Sequence, residues 1–435
     1  MTSLRQARTR ADANAVAPRV GLFGLLGQGN FGNDGSLEAI LAYIRAEHPD
    51  AILDFLCSGP DQVTARYGIP AARLRWYHSE HPRASGVTAL ALKGTGMGLG
   101  MVIDAFRTAA WVRRHDVVIV PGMGVLEATV PLRPWQTPYS MFLLGASSRL
   151  FGTKVALVSV GASVIHQRLT RWLITMAARL AHYRSYRDTV SRDAMQRMGL
   201  DTSGDAVYPD LAFSLPTPRY DPGAARTVGV GVMDYSGGNN DRRRGDEIHA
   251  SYVEKMTRFV LWLVDNGRQV RLLTGDIYDE RVVREILAGL RAHRPELGPP
   301  LVIAELVSFF DELMRQLASV ATVIATRYHN VVCALKLAKP TLSVGYAAKH
   351  EVLMADMGLS GFCQTADSLD VDRLIKQFTE LESQSAQLRQ TLTECSTANA
   401  RLLDQQFATL SALLFPADES ARTAVERKSD RAGAH

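Results

Sequence analysis

Short apolar runs rich in β-branched residues alternate along the chain with longer segments of helical periodicity. In the first half the runs are RVGLFGL, AILDFLC, DVVIVPG, TKVALVSVG and AVYPDLAF. In the second half they are TVGVGVM, RQVRLLTG, PLVIAEL, ATVIATR and PTLSVGY. Continuous apolar runs of this length are typical of parallel strands that are buried on both faces. The alternation therefore predicts an α/β protein whose parallel sheets are covered by helices on both sides.

The two series of strands are separated by PTPRYDPGAA, residues 216–225, which contains three prolines and one glycine. Such a composition is typical of a linker, and 435 residues exceed what one hydrophobic core usually organises. We therefore predict two doubly wound, Rossmann-like domains, residues 19–217 and 218–380, whose strand ends face each other across a central cleft. A polar helical pattern predicts a C-terminal helix at 381–415. Residues 1–18 and 416–435 are predicted to be disordered tails.

The composition limits the classes of protein to consider. With 46% hydrophobic and 21% charged residues, it is that of an ordinary globular protein. A net charge of +5 suits anionic ligands or an anionic membrane surface, but the sequence lacks the basic stripe of a nucleic-acid-binding protein. Cys57, Cys333, Cys363 and Cys395 are scattered without metal-ligand spacing, so we expect reduced thiols and no metal site.

Two segments bear on membranes. Residues 87–106, VTALALKGTGMGLGMVIDAF, contain a lysine and four glycines, so they do not predict a membrane-spanning helix. The N-terminal arginines are not followed by the apolar stretch of a secretory signal, and we expect a cytoplasmic protein. Residues 170–187, TRWLITMAARLAHYRSYR, have the pattern of a basic amphipathic helix. This helix either rests on anionic lipid at the inner face of the membrane or packs on the sheet.

A glycine-rich loop, LGQGNFGNDGS at residues 26–36, follows the first strand and precedes a helical pattern. Glycines such as Gly29 and Gly32 allow the backbone to approach a ligand closely at the start of a helix. Asn30 and Asp34 offer hydrogen bonds, but the lysine and hydroxyl residue of a nucleotide-binding P-loop are absent. A purely structural turn explains the same glycines.

The segment ATVIATRYHN, residues 321–330, places Arg327 and His329 directly after a buried strand and at the start of a helical pattern. Backbone N–H groups and the helix dipole favour an anion at that position. The pattern therefore predicts a phosphate or carboxylate site. The alternative is that Arg327 pairs with a neighbouring acid and that His329 is a capping residue.

Four segments, in this order, carry a resemblance to a known family. They are GNFGND at 29–34, SYRDTVSRDAMQRMGL at 185–200, VYPDLAF at 207–213 and TRYHNVVCALKLAKPTLSVGYAAKHEVLMADMGL at 326–359. Over residues 19–365 the chain resembles the polysaccharide pyruvyl transferases. The resemblance implies a GT-B-like pair of Rossmann-type domains. It also implies transfer of enolpyruvate from phosphoenolpyruvate to sugar hydroxyls, usually closing a cyclic ketal.

The resemblance also implies roles for individual residues. The Arg-x-His motif of the family falls on Arg327 and His329, which implies donor contact for the arginine and acid/base catalysis for the histidine. The arginine of the Arg-Asp segment falls on Arg187, a donor ligand. The family loop is commonly Asn-x-Gly-Asp, whereas this chain has one additional residue, Asn33, before Asp34.

Three further residues are candidates because each follows a strand end or a glycine turn. His166 is a second candidate for acid/base catalysis, or else an exposed loop histidine. Lys349 is a donor ligand or a solvated lysine. Glu127 orients a sugar hydroxyl or is a favourable acid in the first turn of a helix. The acceptor side of the cleft is predicted to comprise Gly29, Asn30, Gly32, Asp34 and Glu127, all in the first domain.

Three functions compete at this stage. The first is phosphoenolpyruvate-dependent pyruvyl transfer to a glycan or glycolipid, without a further cofactor and without nucleic acid as a partner. The second is a GT-B glycosyltransferase with a nucleotide-sugar donor. The third is a non-catalytic glycan-binding or scaffold protein, for which Arg327 and His329 would be dispensable.

Overall fold

A computed structural model describes residues 17–76, 87–127, 133–218, 226–238 and 241–415. For residues 87–96 and 242 it describes the backbone only. The predicted tails, apart from residues 17 and 18, lie outside the described residues, as does most of the predicted linker.

The first half of the chain forms a parallel sheet of seven strands in the order β3-β2-β1-β4-β5-β6-β7. The strands are β1 (Arg19–Gly24), β2 (Ile52–Cys57), β3 (Ala71–Arg73), β4 (Val117–Pro121), β5 (Lys154–Val160), β6 (Tyr183–Tyr186) and β7 (Ala206–Val207). The helices are α1 (Phe31–Glu47), α2 (Pro60–Tyr67), α3 (Val87–Val112), α4 (Thr137–Phe151), α5 (Arg168–Leu180) and α6 (Thr189–Arg197), followed by a 3-10 helix, Leu211–Ser214. We call this part the first domain.

The second half forms a parallel sheet of six strands in the order β10-β9-β8-β11-β12-β13. The strands are β8 (Thr227–Gly231), β9 (Gln269–Leu273), β10 (Val302–Ala304), β11 (Thr322–Ala325), β12 (Thr341–Gly345) and β13 (Cys363–Thr365). The helices are α7 (Gly245–Asp265), α8 (Glu280–His293), α9 (Phe310–Ala318), α10 (Tyr328–Lys336), α11 (Ala348–Asp356), α12 (Val371–Ser383) and α13 (Ser385–Leu414). 3-10 helices also occur at Arg242–Arg244, Ile277–Asp279 and Ala366–Ser368. We call this part, up to α12, the second domain.

Both sheets have the strand order of a Rossmann fold, in which the chain begins in the middle and winds outwards in both directions. Every residue of β4, β8 and β12 is buried, which explains their continuous apolar runs. The predicted α/β architecture with two Rossmann-like domains is confirmed. In such sheets, ligands bind beyond the carboxyl ends of the strands.

Two predicted elements differ from the structure. The run AVYPDLAF forms a two-residue strand and then a 3-10 helix, because Pro209 has no N–H to donate and the Asp210 side chain caps the following turn. The amphipathic helix predicted for residues 170–187 ends at Leu180. The chain then enters β6, whose backbone pairs with β5 and β7. Strands β3, β6 and β13 escaped prediction because they are three or four residues long and only partly buried.

Helix α13 returns from the second domain to the first and contacts both. Its Ser396 hydroxyl donates to the Lys336 carbonyl oxygen at 3.1 Å in the second domain. In the first domain, the Gln406 amide oxygen accepts from Ser159 at 3.1 Å, and Ser411 lies 2.8 Å from the Tyr43 hydroxyl. The helix therefore holds the two domains together.

Among the helices that the structure describes, none combines the length and the hydropathy needed to cross a membrane.

Candidate active site at the domain junction

The glycine-rich loop of the first domain contacts the loop that follows β9 of the second domain. The Phe31 backbone N–H donates to the Gly275 carbonyl oxygen at 3.2 Å. The Asn30 side-chain amide donates to the Asp276 carboxylate at 3.1 Å, and the two residues form an antiparallel bridge. The loops that follow the carboxyl ends of β1 and β9 are therefore in direct contact. This contact agrees with the prediction that the strand ends of the two domains face each other.

Within the loop, glycine is required by close packing. Gly29 has a φ of 78°, and a Cβ atom there would lie 2.5 Å from a side-chain carbon of Ile277. The Asn30 side chain caps the start of α1. The Asp34 carboxylate accepts from the Gly27 N–H at 3.3 Å, and burial raises the pKa of Asp34 to about 6. These contacts stabilise the turn, and ligand contact by the loop stays a prediction.

The ring of His329 lies against Gly32 of the opposite domain. A Cβ atom on Gly32 would fall 1.8 Å from His329 Nδ1, so only glycine leaves space for this imidazole. The other ring nitrogen, Nε2, lies 3.4 Å from the buried carboxylate of Asp210, which also accepts from the Ala212 N–H at 3.0 Å. Burial acts to raise the pKa of Asp210, but the charges of His329 and Arg187 outweigh it and leave the pKa below its usual value. The first domain therefore gives the imidazole an anionic partner.

Arg327 makes an ion pair within the second domain. Its Nη2 and Nε donate to the Asp279 carboxylate at 2.6 and 2.9 Å, and Asp279 is fully buried. The same carboxylate accepts backbone N–H groups of Asp234 at 2.9 Å and Gly275 at 3.1 Å. Burial favours the neutral form of Arg327, but Asp279 outweighs this and raises the pKa of the guanidinium above its ordinary value. The predicted alternative, pairing with a neighbouring acid, is therefore present in the structure. Among the described residues, no partner occupies the remaining nitrogen, Nη1.

Glu127 joins two cations from different domains. Its carboxylate accepts from Arg187 of the first domain and from Lys349 of the second, the latter at 3.0 Å. Burial acts to raise the pKa of Glu127, but Lys349 and Arg187 outweigh it and lower the pKa to about 2. The Arg187 side chain is only 2% exposed, and its Nε lies 3.6 Å from Asp188. We call Glu127, Arg187 and Lys349 the cross-domain cluster.

Tyr328, which separates Arg327 from His329 in the chain, packs beneath the cross-domain cluster. Its ring centre lies 4.7 Å from the Arg187 guanidinium carbon and 5.1 Å from the Lys349 nitrogen. Burial raises the pKa of Tyr328 well above its usual value. Next to it, His350 is fully buried with Nδ1 2.9 Å from the Ser343 hydroxyl, and burial lowers the pKa of His350 well below its usual value. Both rings are therefore neutral at pH 7.

Most of the predicted site residues meet at this junction. The residues brought together are Gly29, Asn30, Gly32, Glu127, Arg187, Arg327, His329 and Lys349. His166 is different, since it is exposed beyond β5 and makes no hydrogen bond or ion pair with the described residues. Its role as a second acid/base residue stays a prediction.

Two buried carboxylates, Asp210 and Asp279, were not predicted from the sequence. Both follow strands of their sheets, β7 and β9, at the carboxyl ends where ligands sit. The rule that ligands bind beyond the carboxyl ends of parallel strands could have identified both acids. Asp210 also lies within VYPDLAF, one of the segments that carry the family resemblance. Within the described ranges, no group of three or more His, Cys, Asp or Glu side chains is arranged to hold a metal ion.

A cavity of about 590 Å³ opens elsewhere along the same domain junction. None of the predicted site residues lines it. Its lining includes Glu38, Arg45, Arg66, Pro216, Phe310 and Arg315. The cavity and the converging buried charges therefore lie in different places, and we assign the candidate site to the charges because strongly perturbed titratable groups cluster at functional sites.

Comparison with known proteins defines the class. The sequence model described as polysaccharide pyruvyl transferase matches residues 30–347. The chain therefore belongs to the polysaccharide pyruvyl transferase family, which confirms the resemblance. Membership implies a transferase with a glycan acceptor. Among curated proteins, no individual sequence matches.

Solved structures agree on the fold. A putative UDP-N-acetylglucosamine 2-epimerase from Listeria monocytogenes superposes with a TM-score of 0.57 at 12% identity, covering 93% of this chain and 98% of that one. The S. aureus MnaA–UDP structure gives 0.58 at 10% identity, covering 92% and 97%. Anabaena Alr3699/HepE in complex with UDP and glucose gives 0.54 at 11% identity, covering 91% and 100%. The two-domain, GT-B-like fold is therefore confirmed.

Proposed function

We propose that the protein transfers the enolpyruvyl group of phosphoenolpyruvate to sugar hydroxyls of a glycan or glycolipid, forms a cyclic pyruvate ketal and releases phosphate. Family membership supports this proposal. The observation that carries it is the convergence of Arg187, Lys349 and Arg327 with His329 where the two sheets meet. The cations are oriented by the carboxylates of Glu127 and Asp279, and fixed cations of this kind suit a small donor with two anionic groups.

Arg327 is the strongest candidate for direct donor contact. Phosphoenolpyruvate carries a carboxylate and a phosphate, and a guanidinium binds such groups through two parallel N–H bonds. Asp279 fixes the orientation of Arg327 through Nε and Nη2, which leaves Nη1 available to an anion. Helix α10 starts at the next residue, Tyr328, so its N-terminal N–H groups reinforce the attraction.

His329 is the candidate for proton transfer. In the addition, the first sugar hydroxyl bonds through its oxygen to the central carbon of the enol ester and gives its proton to the imidazole of His329, while a proton reaches the methylene carbon and makes it a methyl group. The carbon–oxygen bond to phosphate then breaks, and the second hydroxyl closes the ketal as its proton leaves to the departing phosphate or to a base. In our proposal, Asp210 stabilises the imidazolium of His329 between these transfers.

We propose that the first domain faces the acceptor, as in the prediction for the glycine loop and Glu127. Both carboxylate oxygens of Glu127 accept from Lys349, and one also accepts from Arg187. Orientation of these cations is therefore the function that its contacts support best. Orientation of a sugar hydroxyl by Glu127 requires that the cross-domain cluster rearranges when the acceptor binds.

The test is release of inorganic phosphate from phosphoenolpyruvate in the presence of a panel of sugar acceptors, with product mass identifying the added group. We expect Arg327→Ala and His329→Ala each to reduce kcat/KM by at least about a hundredfold, because each removes a group that acts on the transition state. Arg258→Ala is the control, since this arginine forms an exposed ion pair with Asp372. Absence of phosphate release with every acceptor contradicts the proposal. Full phosphate-release activity of both site variants instead removes Arg327 and His329 from the proposed catalytic machinery.

A nucleotide-sugar glycosyltransferase is the second candidate, because solved structures with this fold include complexes with UDP. Calorimetric titration separates the two functions. We expect phosphoenolpyruvate to bind and Arg327→Ala to abolish that binding. Tight binding of UDP or GDP without binding of phosphoenolpyruvate favours the glycosyltransferase.

We also propose a cytoplasmic location, where phosphoenolpyruvate is available.

A further inference from the structure

Helix α3 carries an apolar stripe on its exposed side. Leu99, Val102 and Phe106 follow one another at intervals of three and four residues, so they share one face of the helix. Their exposed fractions are 59%, 53% and 74%. Large apolar side chains that are exposed in a row, rather than singly, indicate an interaction surface.

Two neighbouring helices extend this apolar surface. Helix α3 packs against α4, and α4 packs against α5. Exposed Leu150 and Phe151 lie at the end of α4, and exposed Leu169 and Trp172 lie on α5. The Trp172 ring centre is 5.3 Å from that of Phe142 on α4, so Trp172 is anchored at its base while half of it faces solvent. We call the exposed sides of α3 from residue 97, α4 and α5 the three-helix face.

The exposed charges of the three-helix face are all positive. Helices α4 and α5 contain no acidic residue. The single acid of α3, Asp104, is buried, accepts the Trp76 N–H at 2.7 Å and pairs with Arg107. The exposed basic side chains on α4 and α5 are Arg149, Arg168, Arg171 and Arg179.

This combination favours an anionic bilayer over a second copy of the chain. Leucine, valine and phenylalanine insert at the boundary of the acyl chains, tryptophan prefers the interface, and arginines bind lipid phosphates. A second copy of the chain would bring two sets of unpaired arginines together, which is unfavourable. By contrast, Leu306, an exposed leucine of the second domain, is next to Glu305, so it lacks this charge pattern.

We propose that the three-helix face docks the protein on a membrane surface that contains anionic lipids. The face lies on the first domain, which in our proposed function is the acceptor side. The proposal concerns binding to the bilayer and holds whichever reaction the site catalyses.

The experiment is co-sedimentation of the full chain with vesicles of phosphatidylcholine alone and with vesicles that also contain phosphatidylglycerol. We expect binding to the anionic vesicles only, and weaker binding as salt is added. Val102→Ser/Phe106→Ser removes apolar contact, and Arg168→Glu/Arg171→Glu reverses two charges. Each variant should weaken binding by at least about tenfold, because inserted apolar groups and basic residues both contribute to binding at an anionic interface.

Matched controls test whether vesicle binding is specific to the three-helix face or is a non-specific property of exposed apolar and basic side chains. Leu306→Ser removes an exposed apolar side chain of the second domain, and Arg243→Glu/Arg291→Glu makes the same charge change there. Both controls should bind like the wild type, and all variants should unfold at the wild-type temperature because the altered side chains are exposed. The proposal is overturned if the wild type does not co-sediment with anionic vesicles, or if the controls lose as much binding as the variants of the three-helix face. Concentration-dependent dimers that Val102→Ser/Phe106→Ser abolishes would assign the face to a second copy instead.

Discussion

The candidate site contains two groups of buried ion pairs, the Asp279–Arg327 pair of the second domain and the cross-domain cluster, and they are built differently. Each holds an arginine against a buried carboxylate at the carboxyl end of a strand. In the second domain, Asp279 and Arg327 form their pair from loops of a single sheet. In the cross-domain cluster, Glu127 needs Lys349 from the opposite domain as well as Arg187 from its own.

The difference determines on which domain each ion pair depends. Asp279 is also held by two backbone N–H groups of its own domain, so the orientation of Arg327 does not depend on contacts with the first domain. The cross-domain cluster, by contrast, requires contact between the two domains. The position of Lys349 is therefore coupled to the packing of the domains, whereas that of Arg327 is not.

The largest expected effect is that of Glu127→Gln. Removing the carboxylate leaves the buried Lys349 without its counter-charge and leaves Arg187 with Asp188, 3.6 Å from its Nε, as its ion-pair partner. Breaking a buried pair in this way costs about 3–5 kcal/mol, and the loss of a carboxylate shared by two cations places this variant at the upper end of the range. The free energy of unfolding from urea titration measures the loss. The isosteric control is Glu296→Gln, whose carboxylate pairs with Arg294 at the surface and whose loss should be small.

The stability difference between the wild type and Glu127→Gln should depend on pH. The pKa of Glu127 is lowered from 4.5 to about 2 in the folded protein, so its stabilisation is complete above about pH 4.5 and is lost as the pH falls towards 2. The difference in unfolding free energy between the wild type and Glu127→Gln should therefore shrink across that interval. A difference that stays constant from pH 6 to about pH 2 would contradict the assignment of this pKa to the cluster.

Asp279→Asn should have the next largest effect. It strands Arg327, but the Arg327 side chain is 18% exposed and keeps some contact with solvent. We expect about 3 kcal/mol, the lower end of the range for buried pairs, together with loss of phosphoenolpyruvate binding because the guanidinium is no longer oriented. Urea titration and calorimetry measure the two effects. Asp265→Asn, which removes an exposed partner of Arg294, should change neither.

Gly32→Ala tests the contact between the imidazole and the opposite domain. The added methyl group would overlap His329 Nδ1, so the ring or the junction must shift, at a cost of about 1–3 kcal/mol. We expect kcat to fall more than the affinity for phosphoenolpyruvate, since Arg327 is unchanged. Gly98→Ala is the matched control, because a Cβ atom on that helical glycine meets nothing within 4 Å. Equal kcat values for the two variants would remove His329 from the proposed mechanism.

The smallest expected effect is that of Asp311→Asn at the edge of the junction. Arg66 of the first domain donates to this carboxylate at 2.8 Å, but Asp311 is 52% exposed and Arg66 also pairs with Glu38. Exposed pairs contribute about 1 kcal/mol or less. A loss as large as that of Glu127→Gln would show that the whole junction, rather than the buried cluster, determines stability.

Prediction from the sequence succeeded where the signal is local and repetitive. The continuous apolar runs of β4, β8 and β12 define both sheets because such strands are buried on both faces. Arg327 and His329 stood out because they lie between the end of β11 and the first turn of α10. The short strands β3, β6 and β13 carry no comparable signal, since few of their side chains are buried.

The sequence by itself therefore determined the class of fold, the family and the segments that carry the candidate chemistry. Only the tertiary structure decided which charges meet: Glu127 with Lys349, Asp210 with His329 and Asp279 with Arg327. The partners in these pairs lie between 48 and 222 positions apart in the chain. Strand and helix periodicity repeats over a few residues, so it fixes where each side chain sits on its own element. It contains no information on how two folded domains pack against each other.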